Sequence, residues 1–266
     1  MRALCLAVPL LLSAIPAWAA PACAPPKAMS FTIARQFPRD VSGFTEGLEV
    51  RDGEIFESTG SMFGGSRLMR MTPQGHVTVL ADFGSRFFGE GLTILNDQIY
   101  QLSWKDHRVF VYDLKGKLLR TMRNDREGWG LTHVGAGANE RLVSSDGSDR
   151  IYFSDPKNFA TLSSIEVRRI DRPVEMINEL EWVDGKIWAN VFETRQILRI
   201  DPASGCVEAE AEMNTLWDHM SAQDRAYTGE DGNFVLNGIA WDPVQKLFYL
   251  TGKVWPVVFS GRFSDH

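Results

Sequence analysis

The side chains best suited to chemistry in this sequence sit at matching places in short repeated phrases. Phe44, Glu46, Phe88, Glu90, Trp129, Asn178 and Glu179 all lie in or beside a phrase rich in Gly or Glu that runs into Leu or Ile. Trp104, Phe192 and Lys253 end apolar stretches that follow such phrases. Carboxylates can take and return a proton, and an amide and an ammonium can donate to an oxygen that becomes negative. Aromatic faces around them suit a small polar substrate that carries a charged amine. Each aromatic taken alone is equally well explained as packing between repeats. Only convergence in space would make these residues a site.

The phrases recur in order: Phe44-Thr45-Glu46-Gly47-Leu48, Gly89-Glu90-Gly91-Leu92, Gly128-Trp129-Gly130-Leu131, Asn178-Glu179-Leu180-Glu181 and Asn237-Gly238-Ile239-Ala240. Each is followed by a turn, at Asp52-Gly53, Asn96-Asp97, residues 135–139, Asp184-Gly185 and Asp242-Pro243, and then by a second short strand rich in β-branched and aromatic residues. The period of roughly 40 to 60 residues is that of propeller blades. Hairpins without alternating helices argue against a parallel α/β sheet, and radial repetition buries both of their faces. The expected fold is all-β, a five-bladed propeller of antiparallel four-stranded blades, occupying residues 31–266. Residues 31–37 are expected to pair with the last blade and close the ring. Only residues 208–227 read as helical. In a propeller the innermost strands face a central channel, so the five openings converge although they lie far apart in the chain.

The N-terminus reads as an export signal. A short positive start, an apolar run from Leu4 to Ile15 and the small-x-small pattern Ala17-Trp18-Ala19 predict a signal peptide over residues 1–19. A flexible Pro-rich leader is expected over 20–30, and the remaining chain is expected to be periplasmic or secreted, with no stable membrane insertion. The net charge of -6, with acidic and basic residues interspersed, offers no basic stripe for nucleic acid. After signal removal Cys23 and Cys206 remain as an even pair in an oxidising compartment. Their positions in the chain do not decide between a disulfide and two free thiols. His76, His107, His133, His219 and His266 are scattered, without metal-ligand spacing.

The ordered phrases, together with Glu57-Ser58-Thr59-Gly60, Ser145-Asp146-Gly147-Ser148, Trp188-Ala189-Asn190 and Thr251-Gly252-Lys253, resemble the motif set of the plant-type glutaminyl-peptide cyclotransferases, from about residue 31 to residue 263. The resemblance implies a five-bladed propeller that converts the N-terminal glutamine of peptides or proteins to pyroglutamate and releases ammonia. It implies Glu90 as the single carboxylate that serves as general acid and base. Asn178, the Trp129 indole N–H and Lys253 would be donors to the carboxamide oxygen, and Phe44, Phe88 and Trp104 would wall the glutaminyl side chain. Two positions depart from the plant pattern: Glu46 stands where Gln is usual and Phe192 where a second Trp is usual. Glu46 would hold the substrate ammonium or raise the pKa of Glu90. Phe192 keeps an aromatic face without an indole donor.

No cofactor is required by this chemistry, and no catalytic metal is expected. A cation plugging the propeller channel is left open. The protein is expected to act as a monomer. Two other readings compete: an exported propeller that binds peptides or amines without catalysis, and a metal-dependent, lactonase-like hydrolase. Adapter-type WD repeats are disfavoured by the export signal, and the chain's isolated Gly75-His76, Trp217-Asp218 and Trp241-Asp242 pairs do not recur from unit to unit.

Overall fold

The computed structural model describes residues 22–39, 43–61, 65–72, 74–228 and 235–266. The expected signal peptide lies outside these residues. Strand β1 (Lys27–Pro38) is followed by a blade of β2 (Phe44–Arg51), β3 (Glu54–Gly60), β4 (Ser66–Met71) and β5 (Val77–Gly84). The second blade is β6 (Gly89–Leu95), β7 (Gln98–Ser103), β8 (Arg108–Asp113) and β9 (Leu118–Arg123); the third is β10 (Leu131–Val134), β11 (Arg141–Ser145), β12 (Arg150–Ser154) and β13 (Thr161–Glu166). A two-stranded ribbon, β14 (Arg168–Arg169) and β15 (Arg172–Pro173), leads to the fourth blade, β16 (Ile177–Val183), β17 (Lys186–Val191), β18 (Gln196–Ile200) and β19 (Val207–Glu212). After helices α1 (Asn214–His219) and α2 (Ala222–Thr228) come β20 (Leu236–Asp242), β21 (Leu247–Gly252) and β22 (Val257–Asp265).

The inner strands touch one another in the cycle β2, β6, β10, β16, β20 and back to β2, so five blades close a ring. Each interface between neighbouring blades holds its own apolar cluster, such as Leu48, Val50, Ala240 and Tyr249 between the fifth and first blades. The first two strands of a blade are joined by tight turns whose residues have positive φ, at Asp52-Gly53, Asn96-Asp97 and Asp184-Gly185. That is the turn conformation matching the twist of a hairpin.

β1 supplies the outer strand of the fifth blade, antiparallel to β22 from Met29–Asp265 to Pro38–Val257. At its start it also pairs in parallel with β19 through Lys27–Ala209 and Ala28–Glu210, which joins the fourth and fifth blades into one sheet. The segment expected to be a flexible leader is therefore strand from Lys27 onward. Upstream of it, Cys23 is buried, its N–H donates to the Ile170 carbonyl, and it forms a disulfide with Cys206 at a Cα separation of 5.5 Å. Spanning 183 residues, that link is worth about 5 kcal/mol by loop-closure entropy. The helix expected from residue 208 is also corrected. Residues 207–212 alternate Val, Glu, Ala, Glu, Ala, Glu, and Val207, Ala209 and Ala211 are buried while the glutamates point outward. Period-two burial outweighs the helix propensity of Glu and Ala, and helix begins only at Asn214.

Candidate active site

Four of the five inner strands carry a break in register at the phrase read from the sequence: between Thr45 and Gly47, Gly89 and Leu92, Ile177 and Leu180, and Leu236 and Ile239. In an unbroken strand, residues three apart face opposite sides; a bulge turns the chain so that they need not. This lets Glu46 and Glu49, Glu90 and Thr93, and Asn178 and Glu181 all reach the channel, one of each pair at the start of the inner strand and the other further along it. The glycines between them allow the strands to meet. A Cβ on Gly47 would lie 2.4 Å from the Leu92 nitrogen, and one on Gly130 would lie 2.1 Å from the Asn178 oxygen.

At the ends where the inner strands begin, a cavity of about 150 Å³ is lined by Phe44, Glu46, Phe88, Glu90, Trp104, Trp129, Asn178, Phe192 and Lys253. Nine of the ten residues singled out from the sequence thus face one space. Phe44, Phe88 and Trp104 form one wall, with ring centroids 6.4 and 5.5 Å apart. Trp129 meets Phe192 edge-on at 5.6 Å on the other. Lys253 Nζ lies 4.7 Å from the Phe192 ring centroid and 2.8 Å from Glu46 Oε1 and Oε2. The Asn237 amide donates to the Thr45 carbonyl at 2.8 Å and to Glu46 Oε2 at 3.3 Å.

The two pocket carboxylates are therefore unequal. Glu46 is fully buried and doubly held; burial pushes its pKa up to about 7, against the pull of Lys253. Glu90 is buried, and no hydrogen bond to its carboxyl is made by any described residue. Burial first, then the charges of Glu46 and Glu127, hold its pKa well above the ordinary carboxylate range, with Lys253 opposing. Asn178 Oδ1 is buried without a partner.

The structure departs from the sequence reading in two particulars. Glu179 does not line the cavity. It is buried in the channel at the level where the other four inner strands have glycine, and its oxygens accept the Leu48 N–H at 3.2 Å and the Ile239 N–H at 2.8 Å. The Trp129 indole N–H, expected to donate to a carboxamide, is directed at Glu127 Oε2, 3.4 Å away. Three contributors were missed. Asn237 occupies in the fifth phrase the place of Glu46, Glu90, Trp129 and Asn178, and aligning the phrases would have found it. Glu127 stands two residues before Trp129, where the first two phrases have Phe44 and Phe88, and that change of residue type was the available signal. Arg39 is buried, donates to Glu57 and to the Trp255 and Gly43 carbonyls, and so ties the flanks of Phe44 and Lys253 together; nothing in the local sequence marks it.

Among the described residues, no group of three or more His, Cys, Asp or Glu is arranged to hold a metal ion. No helix among them is long and apolar enough to cross a membrane.

The family model for glutamine cyclotransferase matches residues 4–263. The chain belongs to the glutamine cyclotransferase family. It is 34% identical over 239 residues to a glutaminyl-peptide cyclotransferase of Arabidopsis thaliana, covering 88% of this chain and 71% of that one. It also superimposes on the crystal structure of the Myxococcus xanthus glutaminyl cyclase with a TM-score of 0.78 at 32% identity, covering 91% of this chain and 99% of the other. Membership assigns it enzymatic activity of the glutaminyl-peptide cyclotransferase class. Within the family, the cavity at the head of the inner strands is the place where this chain gathers its carboxylates, amide, lysine and aromatic rings.

Proposed function

We propose that the cavity closes N-terminal glutamine into pyroglutamate with Glu90 as the only proton-transfer group. The reaction is already intramolecular, so the protein needs to hold the folded-back side chain rather than bring two reactants together. The Glu90 carboxylate takes a proton from the α-amine as the new bond from nitrogen to the γ-carboxamide carbon forms. The carboxamide oxygen gains the negative charge. Glu90 then returns the proton to the amide nitrogen, the old carbon–nitrogen bond breaks, and ammonia leaves. A carboxylate with a raised pKa is a better match for an amine that titrates near neutrality than an ordinary one.

The observation that carries this reading is the inequality of the two carboxylates. Glu46 is engaged by Lys253 and Asn237, whereas Glu90 meets no hydrogen-bond donor among the described residues and faces the cavity. Asn178 and the Lys253 ammonium are the donors for the developing oxyanion, and Phe44, Phe88, Trp104 and Phe192 exclude water. The substrates are peptides or proteins that begin with Gln, handled by a monomer without a required cofactor. Export is part of the same reading, and the Cys23–Cys206 disulfide suits an oxidising compartment.

The test is to incubate the purified protein with Gln-initiated and Asn-initiated peptides, with and without chelator, and to follow ammonia and peptide mass. Gln peptides are expected to lose one ammonia at a rate that chelator leaves unchanged. Absence of turnover across varied Gln peptides would favour a binding module, and loss of activity in chelator would overturn the metal-free mechanism.

A further inference from the structure

The pocket wall is a nearly continuous circle. Phe44, Phe88 and Trp104 follow one another by ring contacts, as do Trp129 and Phe192, and Lys253 and Glu46 carry the circle from Phe192 back towards the Phe44 strand. One junction is left, between Trp104 and Trp129. It is bridged by a residue that does not line the cavity: Glu127 Oε2 accepts the Trp104 indole N–H at 3.0 Å and the Trp129 indole N–H at 3.4 Å. The backbone supports the same junction, because the Gly128 N–H donates to the Trp104 carbonyl at 3.0 Å. Lys105 completes it, 3.8 Å from Glu127 Oε1 and 4.0 Å above the Trp104 ring.

Resting on the reaction proposed above, we infer that Glu127 is a positioning residue of this pocket. By accepting both indole N–H groups on one oxygen, it locks the second- and third-blade walls together and withdraws both tryptophans as donors to substrate. The carboxamide is then left to Asn178 and Lys253, and the indoles act through their faces. Glu127 also adds negative charge near Glu90, whose other charged neighbours are Glu46 and Lys253.

Two variants separate the two effects. Glu127→Gln keeps a carbonyl oxygen for the indoles but removes the charge. Its KM should stay within about twofold of the parent, while the acid limb of the kcat profile moves to lower pH, since a like charge that favours the protonated form of Glu90 is gone. Glu127→Ala should move the same limb and also raise KM about tenfold, the scale of hydrogen bonds lost to a charged acceptor. In proton–nitrogen correlation spectra, the indole resonances of Trp104 and Trp129 should shift together in Glu127→Ala. Unchanged indole resonances, or an unchanged KM in Glu127→Ala, would overturn the positioning role. If the parent protein cyclises no Gln peptide, the reaction above fails, and the indole resonances still decide whether Glu127 holds the two walls.

Discussion

The two ends of the inner strands use the same residue type in opposite ways. At the starts of the strands, Glu90 faces a cavity without a hydrogen-bond partner among the described residues. Further along, Glu49 accepts the Thr93 hydroxyl at 2.6 Å and the Ile94 N–H at 3.0 Å, and Glu181 accepts the Trp241 N–H at 2.9 Å and the Thr132 hydroxyl at 3.3 Å. Having donated to Glu49, the Thr93 hydroxyl accepts from His133 Nδ1 at 2.8 Å, and burial pushes the pKa of that histidine down. Every one of these bonds crosses from one blade to the next. The inner strands of different blades share no backbone ladder, so buried carboxylates serve as the ties. Glu179 sits between the two levels and holds the first and fifth blades to the fourth. Burial raises the pKa of all these glutamates; what separates a candidate acid–base group from a structural tie is whether donors already occupy it.

The sharpest way to break this comparison is to neutralise one carboxylate at each end. Glu90→Gln is expected to lower kcat about 10³-fold, the usual worth of a positioned general acid–base group, with little change in thermal stability. Glu181→Gln should leave kcat within about threefold of the parent, because a carboxamide can still accept from Trp241 and sits away from the cavity. Ammonia release on one Gln peptide measures both. Comparable losses in the two variants would mean that partner count does not mark the working carboxylate.

What could be read from the chain follows from the same bulges. The five phrases were recognisable because each runs into a buried Leu or Ile and is followed by a turn, and that was enough for the ring and for the nine cavity residues. Adjacent residues were harder. Asn178 and Glu179 share a bulge, and periodicity does not say which of two neighbours a bulge turns toward the cavity; only Asn178 faces it. Glu127 and Arg39 each join a near neighbour to a partner distant in sequence: Glu127 links the Trp129 indole to that of Trp104, and Arg39 links the Gly43 carbonyl to that of Trp255. No local pattern encodes such partners. The stretch after residue 207 misled for a plainer reason: alternating Glu and Ala satisfies helix propensity and strand periodicity at once, and the sheet edge offered by β18 decides.

The structural ties should be visible as a pH-dependent stability. Burial lifts Glu49 from 4.5 to about 7 despite its donors. Between those values the folded chain keeps a proton that the unfolded chain has released, so folding stability falls as pH rises through the window. For Glu49 alone the loss is about 3 kcal/mol. Urea unfolding at pH 4.5 and at pH 8 should therefore show the protein weaker at the higher pH. In Glu49→Gln that difference should shrink by about 3 kcal/mol, with kcat unaffected. A stability gap of the same size in the variant would show that Glu49 does not titrate in this range.

The finest discrimination concerns Glu46, which shares the cavity with Glu90 yet has partners like the residues at the far end. Its like charge is the second cause, after burial, of the raised pKa of Glu90. Glu46→Gln removes that charge and releases Lys253 from its carboxylate partner. Both changes favour the ionised form of Glu90, so its pKa falls and the acid limb of the kcat profile moves to lower pH. The gain near pH 6 should be only a few-fold, since a carboxamide at this position cannot hold Lys253 as firmly and some order at the oxyanion side is lost. A profile measured with one Gln peptide from pH 5 to 9 is sufficient. If the limb moves to higher pH instead, Glu46 acts mainly by keeping Lys253 beside Glu90, and the loss of that cation outweighs the loss of the like charge.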